Sequence, residues 1–475
     1  MSAHGHDEVL ALLRAANEVD DALLAGLLCL ARDQRRRDVV WLTLALLHPL
    51  LPVQVDVERA FRQLRLDGPK AVLDDERVRR SRSPISPEPP PLHERLVLGG
   101  VVLDVHSTAH HPYRTGIQRV VIESGRRWAA AHPLRAVAWT QGWGGLRDLD
   151  AAEHDRVLAR PGREQQAQAL VPWGCTYVLP EIAGDLLRAQ RLASMVESGA
   201  VRLSLIAYDL IPITGAETAA PGMPSAFASY LGVVRHATSV AAISEAATTE
   251  FRGFCDMLAG QGVTGPDVRE VCLAAEAVAV DAAGVESARA QLAVGDAPFV
   301  LAVGTHEPRK NHLALLHAAE LLWREGLHFS LVLLGHNGWG SDAFLALAGE
   351  LRSAGRPLSL ITAASDELLW GSYHAARVVA FPSLHEGFGL PVAEALACGT
   401  PVVTSDVGSM RELARGGGAL AIDPHDDHAL VAALRALLTD DALHGRLVAE
   451  ARSRPVRTWD DYAAEVWQVL VGPGA

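Results

Sequence analysis

From Asp7 to Gln34, in "DEVLALLRAANEVDDALLAGLLCLARDQ", apolar residues recur at three- and four-residue intervals without alternation of β-branched side chains. That spacing predicts helices, and the same texture continues to about residue 75. It breaks at "RRSRSPISPEPPPLHER", residues 79–95, whose Pro, Ser and Arg content predicts an extended linker crossed by few contacts. Beyond it, short β-rich runs alternate with helical stretches. Strands are predicted at 96–105, 135–140, 176–180, 201–209, 238–244 and 268–273. A second series follows at 299–304, 330–335, 358–362, 377–383, 401–405 and 419–422. Runs such as "SLVLLG" are apolar at consecutive positions, as strands covered on both faces are. Two such βαβ series predict an α/β chain of two doubly wound, Rossmann-like domains facing a cleft, preceded by a helical extension. The division expected is a helical extension 1–78, a linker 79–95, an amino-terminal domain 96–285, a carboxyl-terminal domain 286–457 and a last helix, 458–475, crossing back to the amino-terminal domain.

Composition narrows the function classes. The formal charge is −13, with 43 basic against 56 acidic residues, which argues against a nucleic-acid coat. Five scattered cysteines show neither a CxxC pair nor a zinc spacing, so no metal site or disulfide framework is expected and a reducing cytoplasm fits. The polar opening "MSAHGHDEV" argues against a secretory leader. The uncharged run "VVWLTLALLHPLLPVQV", 39–55, contains His48, Pro49 and Pro52 and falls short of the roughly 20 apolar residues of a spanning helix. A buried helix ending near Pro49 is expected, with contact at a membrane surface as the alternative.

The chemistry gathers after two of the apolar strands. "FVLAVGTHEPRKN" ends a strand at Gly304, where glycine permits a sharp turn, and delivers Glu307, Arg309, Lys310 and Asn311 before a helix. A guanidinium and an ammonium beside a helix N-terminus suit a diphosphate; the bland alternative is a solvated basic pair. "FPSLHEGFGLPVAEALACGTPVV" places Glu386 and Glu394 on either side of a turn containing Gly387, Phe388 and Gly389. Pro391 suits the first turn of the following helix, and the glycines let a ligand approach backbone N–H groups. Glutamates that merely complement the helix dipole are the alternative.

These residues carry a resemblance. "EGFGLPVAE" resembles the motif, two glutamates with seven residues between, of retaining GT-B glycosyltransferases, specifically glycosyltransferase family 4. "VGTHEPRKN", "VLLGHNGWG" and the terminal "TWDDYAAEVWQVL" stand in that family's order. In the amino-terminal half, "LDVHSTAHHPYRTGIQRVV", "YDLIPI" and "ISEAATTEF" are similar to its O-antigen mannosyltransferase-like subgroup. The resemblance spans about residues 98–470; residues 1–92 match no family.

The resemblance implies a GT-B enzyme that transfers a sugar with retention of configuration from a nucleotide-sugar, with GDP-mannose favoured. The acceptor implied is a saccharide or a lipid-linked saccharide of cell-surface polysaccharide synthesis. The donor is a substrate, so no cofactor is expected. Carried onto this chain, Arg309 and Lys310 hold the diphosphate, Glu394 the ribose and Glu386 the donor sugar. Gly304, Gly387, Phe388 and Gly389 supply close-approaching backbone. Gly116, taken as a strand-end turn, approaches the phosphates with Arg119 nearby. The family's usual histidine before the aspartate is Tyr208 here, which moves the expected role, facing the sugar or the acceptor hydroxyl, to Asp209, with helix or turn capping before Pro212 as its alternative. Ser244 is a lesser cleft candidate. No acidic pair of the metal-binding DxD kind ends a strand, so Arg309 and Lys310 are expected to work without a metal. A cytoplasmic location is implied, peripheral at the inner membrane face if the acceptor is lipid-linked. The helical extension is left as an oligomerisation element, a membrane contact or a partner dock. Two rival readings are a non-catalytic nucleotide-sugar-binding module and a sugar-nucleotide epimerase or nicotinamide enzyme, although "AVGTHEP" lacks the three-glycine dinucleotide fingerprint.

Overall fold

The structure is a computed structural model that describes residues 3–16, 19–82, 95–111, 115–160 and 169–472. It opens with five helices, Ala3–Ala15, Asp21–Asp33, Arg37–Leu47, Gln54–Asp67 and Pro69–Arg82. Asp20 caps the second by accepting the Leu23 N–H at 2.8 Å. Gly68, at φ 86°, stops the fourth, and Pro69 opens the fifth. Every residue from Asp38 to Leu47 is buried. A helix apolar on nearly all sides needs cover on all sides, so residues 39–47 of the run weighed as a membrane contact are interior, while Val55 at its end is exposed. No helix among the described residues is long and apolar enough to cross a membrane.

The first sheet contains β1 (Arg95–Asp104), β2 (Arg135–Trp139), β3 (Leu146–Asp148), β4 (Ala169–Leu179), β5 (Val201–Ala207), β6 (Ser239–Ala242) and β7 (Asp267–Glu270). The parallel order is β2–β1–β4–β5–β6–β7, with β3 antiparallel to β2. The three-residue β3 was not expected; it is too short for alternation to register. β4 begins before the anticipated Thr176, and its Pro172 pairs with Leu98 next to a register shift between Leu98 and Gly100. A proline inside a sheet is tolerated at such a bulge.

The second sheet contains β8 (Phe299–Val303), β9 (Ser330–Leu334), β10 (Leu358–Ile361), β11 (Val378–Phe381), β12 (Val402–Ser405) and β13 (Ala419–Ile422). All its pairings are parallel, in the order β10–β9–β8–β11–β12–β13. The direction of winding reverses between β8 and β11, which opens a crevice at their carboxyl ends. The helix Trp459–Leu470 lies back on the first domain. Trp128 Nε1 donates to Ala463 O at 2.8 Å, and Trp467 stacks on His132 with ring centroids 4.0 Å apart.

The expectation of few contacts between the helical extension and the first α/β domain is overturned. The extension shares one apolar core with the first sheet, from Leu27 and Trp41 to Leu98 and Tyr177. Arg95 donates to Ala45 O at 2.5 Å, Leu51 N–H to Gly144 O at 2.7 Å, and His6 stacks on Trp173 at 4.7 Å. The extension covers one side of the sheet as an ordinary layer. The anticipated linker is shortened at its start, because the fifth helix runs to Arg82; residues 83–94 lie outside the described residues.

Candidate active site at the crevice between the two sheets

β8 leads into Gly304, whose φ of 144° is closed to most side chains. The chain then forms a single turn over Pro308–Lys310, followed by Asn311 in the left-handed region at φ 56° and the helix His312–Arg324. This turn aims Arg309 and Lys310 across the crevice at the loop after β11. Lys310 Nζ meets Glu386 Oε1 at 2.6 Å, and Arg309 Nη1 meets Glu386 Oε2 at 2.8 Å. Ser383 Oγ donates to Glu386 Oε1 at 2.7 Å. Arg309 also binds Glu307 Oε1 at 2.6 Å and His385 O at 2.5 Å. Two cations and their counter-charge thus form one cluster at the reversal of strand order.

Burial alone would raise the Glu386 carboxyl, but the Lys310 ammonium and the Arg309 guanidinium outweigh it and hold it down at about 2. Burial draws Lys310 below the ordinary lysine value, with Glu386 opposing. Arg309, despite burial, is held firmly protonated by Glu386 and Glu307.

Glu386 is followed by Gly387, where the other domain comes closest. A Cβ there would lie 2.7 Å from Tyr208 O and 2.9 Å from Asp209 Oδ2, so only glycine fits. Asp209 therefore faces the Glu386–Gly387 loop from the first sheet. Its Oδ1 also accepts the Ile211 N–H at 3.1 Å, so it caps its turn as well. Burial pushes Asp209 up to about 6, against the pull of Arg309. Tyr208 is buried and donates to Pro180 O at 2.7 Å, out of the crevice. Ser244 Oγ spans the domains to Gly387 O at 2.7 Å while capping its own helix at the Ala247 N–H.

Phe388 is buried, and Gly389, at φ 93°, is the uncapped start of the helix Leu390–Ala397. That helix carries Glu394 away from the cation cluster into a second pocket of contacts. There Arg119 reaches Glu394 Oε1 from the first domain, and Tyr373 donates to Oε2 at 2.7 Å. The Arg119 guanidinium lies over the Trp370 and Trp459 rings at 5.5 and 5.6 Å. Burial raises the Glu394 carboxyl against both partners. Gly116 is not the strand-end turn anticipated. It is the first residue of the helix Gly116–Ala131, capped by Thr115, and its Cβ position lies 3.3 Å from Leu390 Cδ1. The short helix His106–His110 already succeeds β1, so the turn there is spent before Gly116.

Arg309, Lys310, Glu386, Gly387 and Asp209 are thus brought together, with Gly304 beneath Lys310, whose Cε would lie 3.5 Å from a Cβ at that position. Glu394 and Gly116 mark a second point of domain contact. Sequence reasoning missed Glu250, His385, Ser383 and Tyr373, and did not foresee the pairing of Arg119 with Glu394. The first four look like ordinary helix or loop positions, and nothing local marks their long-range pairing.

The matching family model, glycosyl transferases group 1, spans the second sheet and its helices. Residues 285–454 match that model, described as glycosyl transferases group 1. The chain is 41% identical, over 157 residues, to part of O-antigen chain mannosyltransferase B of Escherichia coli, covering 32% of this chain and 40% of that protein. Serotype-specific mannosyltransferase WbdA of Escherichia coli is 28% identical over 334 residues, 66% of this chain and 38% of WbdA. The chain therefore spans about two fifths of these curated relatives. Sucrose-phosphate synthase from Thermosynechococcus elongatus superposes with a TM-score of 0.57 at 19% identity, over 78% of this chain and 98% of that one. The group 1 domain and the sheet before it together form a GT-B fold.

Proposed function

We propose that the protein is a retaining glycosyltransferase that moves a hexose from a nucleotide-sugar to a saccharide or lipid-linked saccharide acceptor. The observation that carries this reading is the pairing of Arg309 and Lys310 on Glu386, at the strand-order reversal, opposite Asp209. The favoured donor is GDP-mannose, on the likeness to O-antigen chain mannosyltransferase B and serotype-specific mannosyltransferase WbdA. Synthesis of cell-surface polysaccharide at the inner membrane face is the corresponding setting.

Arg309 and Lys310 receive the diphosphate, aided by the uncapped N-terminus of Leu390–Ala397. Departure of the nucleoside diphosphate concentrates negative charge on its phosphate. Fixed cations stabilise that charge most in the transition state, which lowers the barrier rather than only tightening binding. Glu386 keeps both cations aimed and presents the remaining lone pair of Oε2 to the sugar. The Gly304, Gly387, Phe388 and Gly389 backbone sets how closely the donor lies, and Gly116 approaches from the facing domain. Glu394 takes the ribose hydroxyls, exchanging Arg119 for them as the donor enters. Asp209, ionised at neutral pH, orients the acceptor hydroxyl. Attack on the face that the leaving group vacates keeps the anomeric configuration, and the acceptor's proton passes to the leaving phosphate. A divalent ion's charge is supplied by Arg309 and Lys310 in this account.

A donor panel read by thermal shift tests the reading. A true donor at 100 times its Kd adds about 2.7 kcal/mol of stability. GDP-mannose should give an α-linked product in excess chelator, read from the anomeric proton–carbon coupling. A β-linked product refutes the retaining assignment, and magnesium-restored activity refutes the metal-free one.

A further inference from the structure

The helix Glu245–Ala259 of the first domain touches both faces of the crevice. Its N-cap, Ser244, holds Gly387 O at 2.7 Å. One turn and a half along, Glu250 divides its carboxylate between two loops. Oε2 accepts the Leu210 N–H at 2.7 Å, and Oε1 meets His385 Nε2 at 2.8 Å. Leu210 comes directly after Asp209, and His385 directly before Glu386. His385 is held at its other end too, because its carbonyl accepts Arg309 Nη1 at 2.5 Å. A single side chain on a rigid helix therefore ties the loop bearing Asp209 to the loop bearing Glu386.

We propose that Glu250 and His385 form an interdomain clasp that sets the position of Asp209 relative to the Glu386–Gly387 loop, engaged as an ion pair while His385 carries its proton. The proposal rests on the transferase reading for its catalytic consequence. Neither residue touches the reacting atoms; both act through their neighbours.

The charges around the His385 ring favour the protonated form. The hydrogen bond to Glu250 raises its pKa against burial, the Glu250 and Asp209 charges raise it further, and Arg309 opposes. A raised histidine value means that the ionic part of the clasp is complete below the ordinary 6.5. It fades as pH climbs through the folded-state value, leaving a neutral hydrogen bond. The consequence is an alkaline decline in turnover. Glu250 also serves the Leu210 N–H, which would otherwise be left without an acceptor, so truncation should loosen that loop at any pH.

The test uses the full chain in five forms: wild type, Glu250→Ala, the isosteric Glu250→Gln, the partner variant His385→Gln and the double variant Glu250→Ala/His385→Gln. Hydrogen–deuterium exchange is followed at the peptides spanning Asp209–Ile211 and His385–Gly389. Steady-state transfer is followed with GDP-mannose and a soluble saccharide acceptor. Glu250→Ala should speed exchange at both peptides and lower kcat by about 10–100-fold, the scale of a small misplacement, while GDP affinity stays within about twofold. Glu250→Gln should show a smaller loss, since its amide oxygen still accepts Leu210. His385→Gln should abolish the alkaline decline, and the double variant should be no worse than Glu250→Ala alone. Unchanged exchange at both peptides overturns the clasp whatever the activity. Faster exchange with full kcat overturns its positioning role, as does an equal loss of kcat and GDP affinity. If wild type transfers no sugar from any donor, the transferase reading fails, while the exchange data still decide the clasp.

Discussion

Replacing Glu386 by Gln keeps the shape of the side chain and removes the charge that two buried cations share. Its ionised form is favoured because the carboxyl sits at about 2 rather than 4.5. Such a displacement corresponds to about 3 kcal/mol, similar to the cost of breaking one side of a buried ion pair. The two effects describe one interaction and are not summed. Because the value is depressed, this stabilisation is fully present above about pH 4.5 and is lost as pH falls toward 2. The comparison therefore belongs at pH 7, read by circular dichroism or differential scanning calorimetry. If the group 1 domain, residues 285–454, unfolds as one unit, about 3 kcal/mol lowers its Tm by roughly 6–12 °C. Arg309 retains Glu307 in the variant, whereas Lys310 loses its only ion-pair partner among the described residues. Lys310→Met introduced beside Glu386→Gln should therefore recover part of the loss, giving a coupling well above additivity error. A Tm within about 2 °C of wild type for Glu386→Gln, with no recovery in the double variant, would refute the claim that charge pairing holds this cluster together.

Arg309→Ala and Lys310→Ala should each lower turnover by about 10²-fold or more, as loss of one transition-state charge donor does; a folded variant with full activity removes the diphosphate assignment. Asp209 titrates at about 6, so kcat/KM should fall below that pH, and Asp209→Asn should be less active and lack that acidic limb. If the limb persists in Asp209→Asn, another group is responsible. A fragment beginning at Arg95 should be insoluble or melt far below the full chain, because it uncovers the apolar face on which Trp41 and Leu46 pack; a soluble fragment with the parent's Tm would show that the helical layer is dispensable.

The two series of apolar runs, the helical start and the burial of residues 39–47 are set by local patterning, because period and length act within a single segment. The grouping of Arg309, Lys310 and Glu386 is also legible in the chain, since each stands just beyond a buried strand and parallel α/β sheets present such positions at one edge. What the residues could not declare is which strands are neighbours. Only the placement of β8 beside β11, although 74 residues of chain separate Val303 from Val378, brings Lys310 to Glu386. The same holds between domains: Asp209 faces Gly387, Glu250 holds His385 and Arg119 covers Glu394 only after the two sheets meet. The helical extension carries the opposite lesson. Its proline-rich exit looked like a boundary, yet a loop's composition describes the loop and not the surfaces that it joins. An apolar face on the first sheet and a helix of the extension buried from Asp38 to Leu47 had to cover one another, and that demand is set by tertiary burial rather than by any short stretch of sequence.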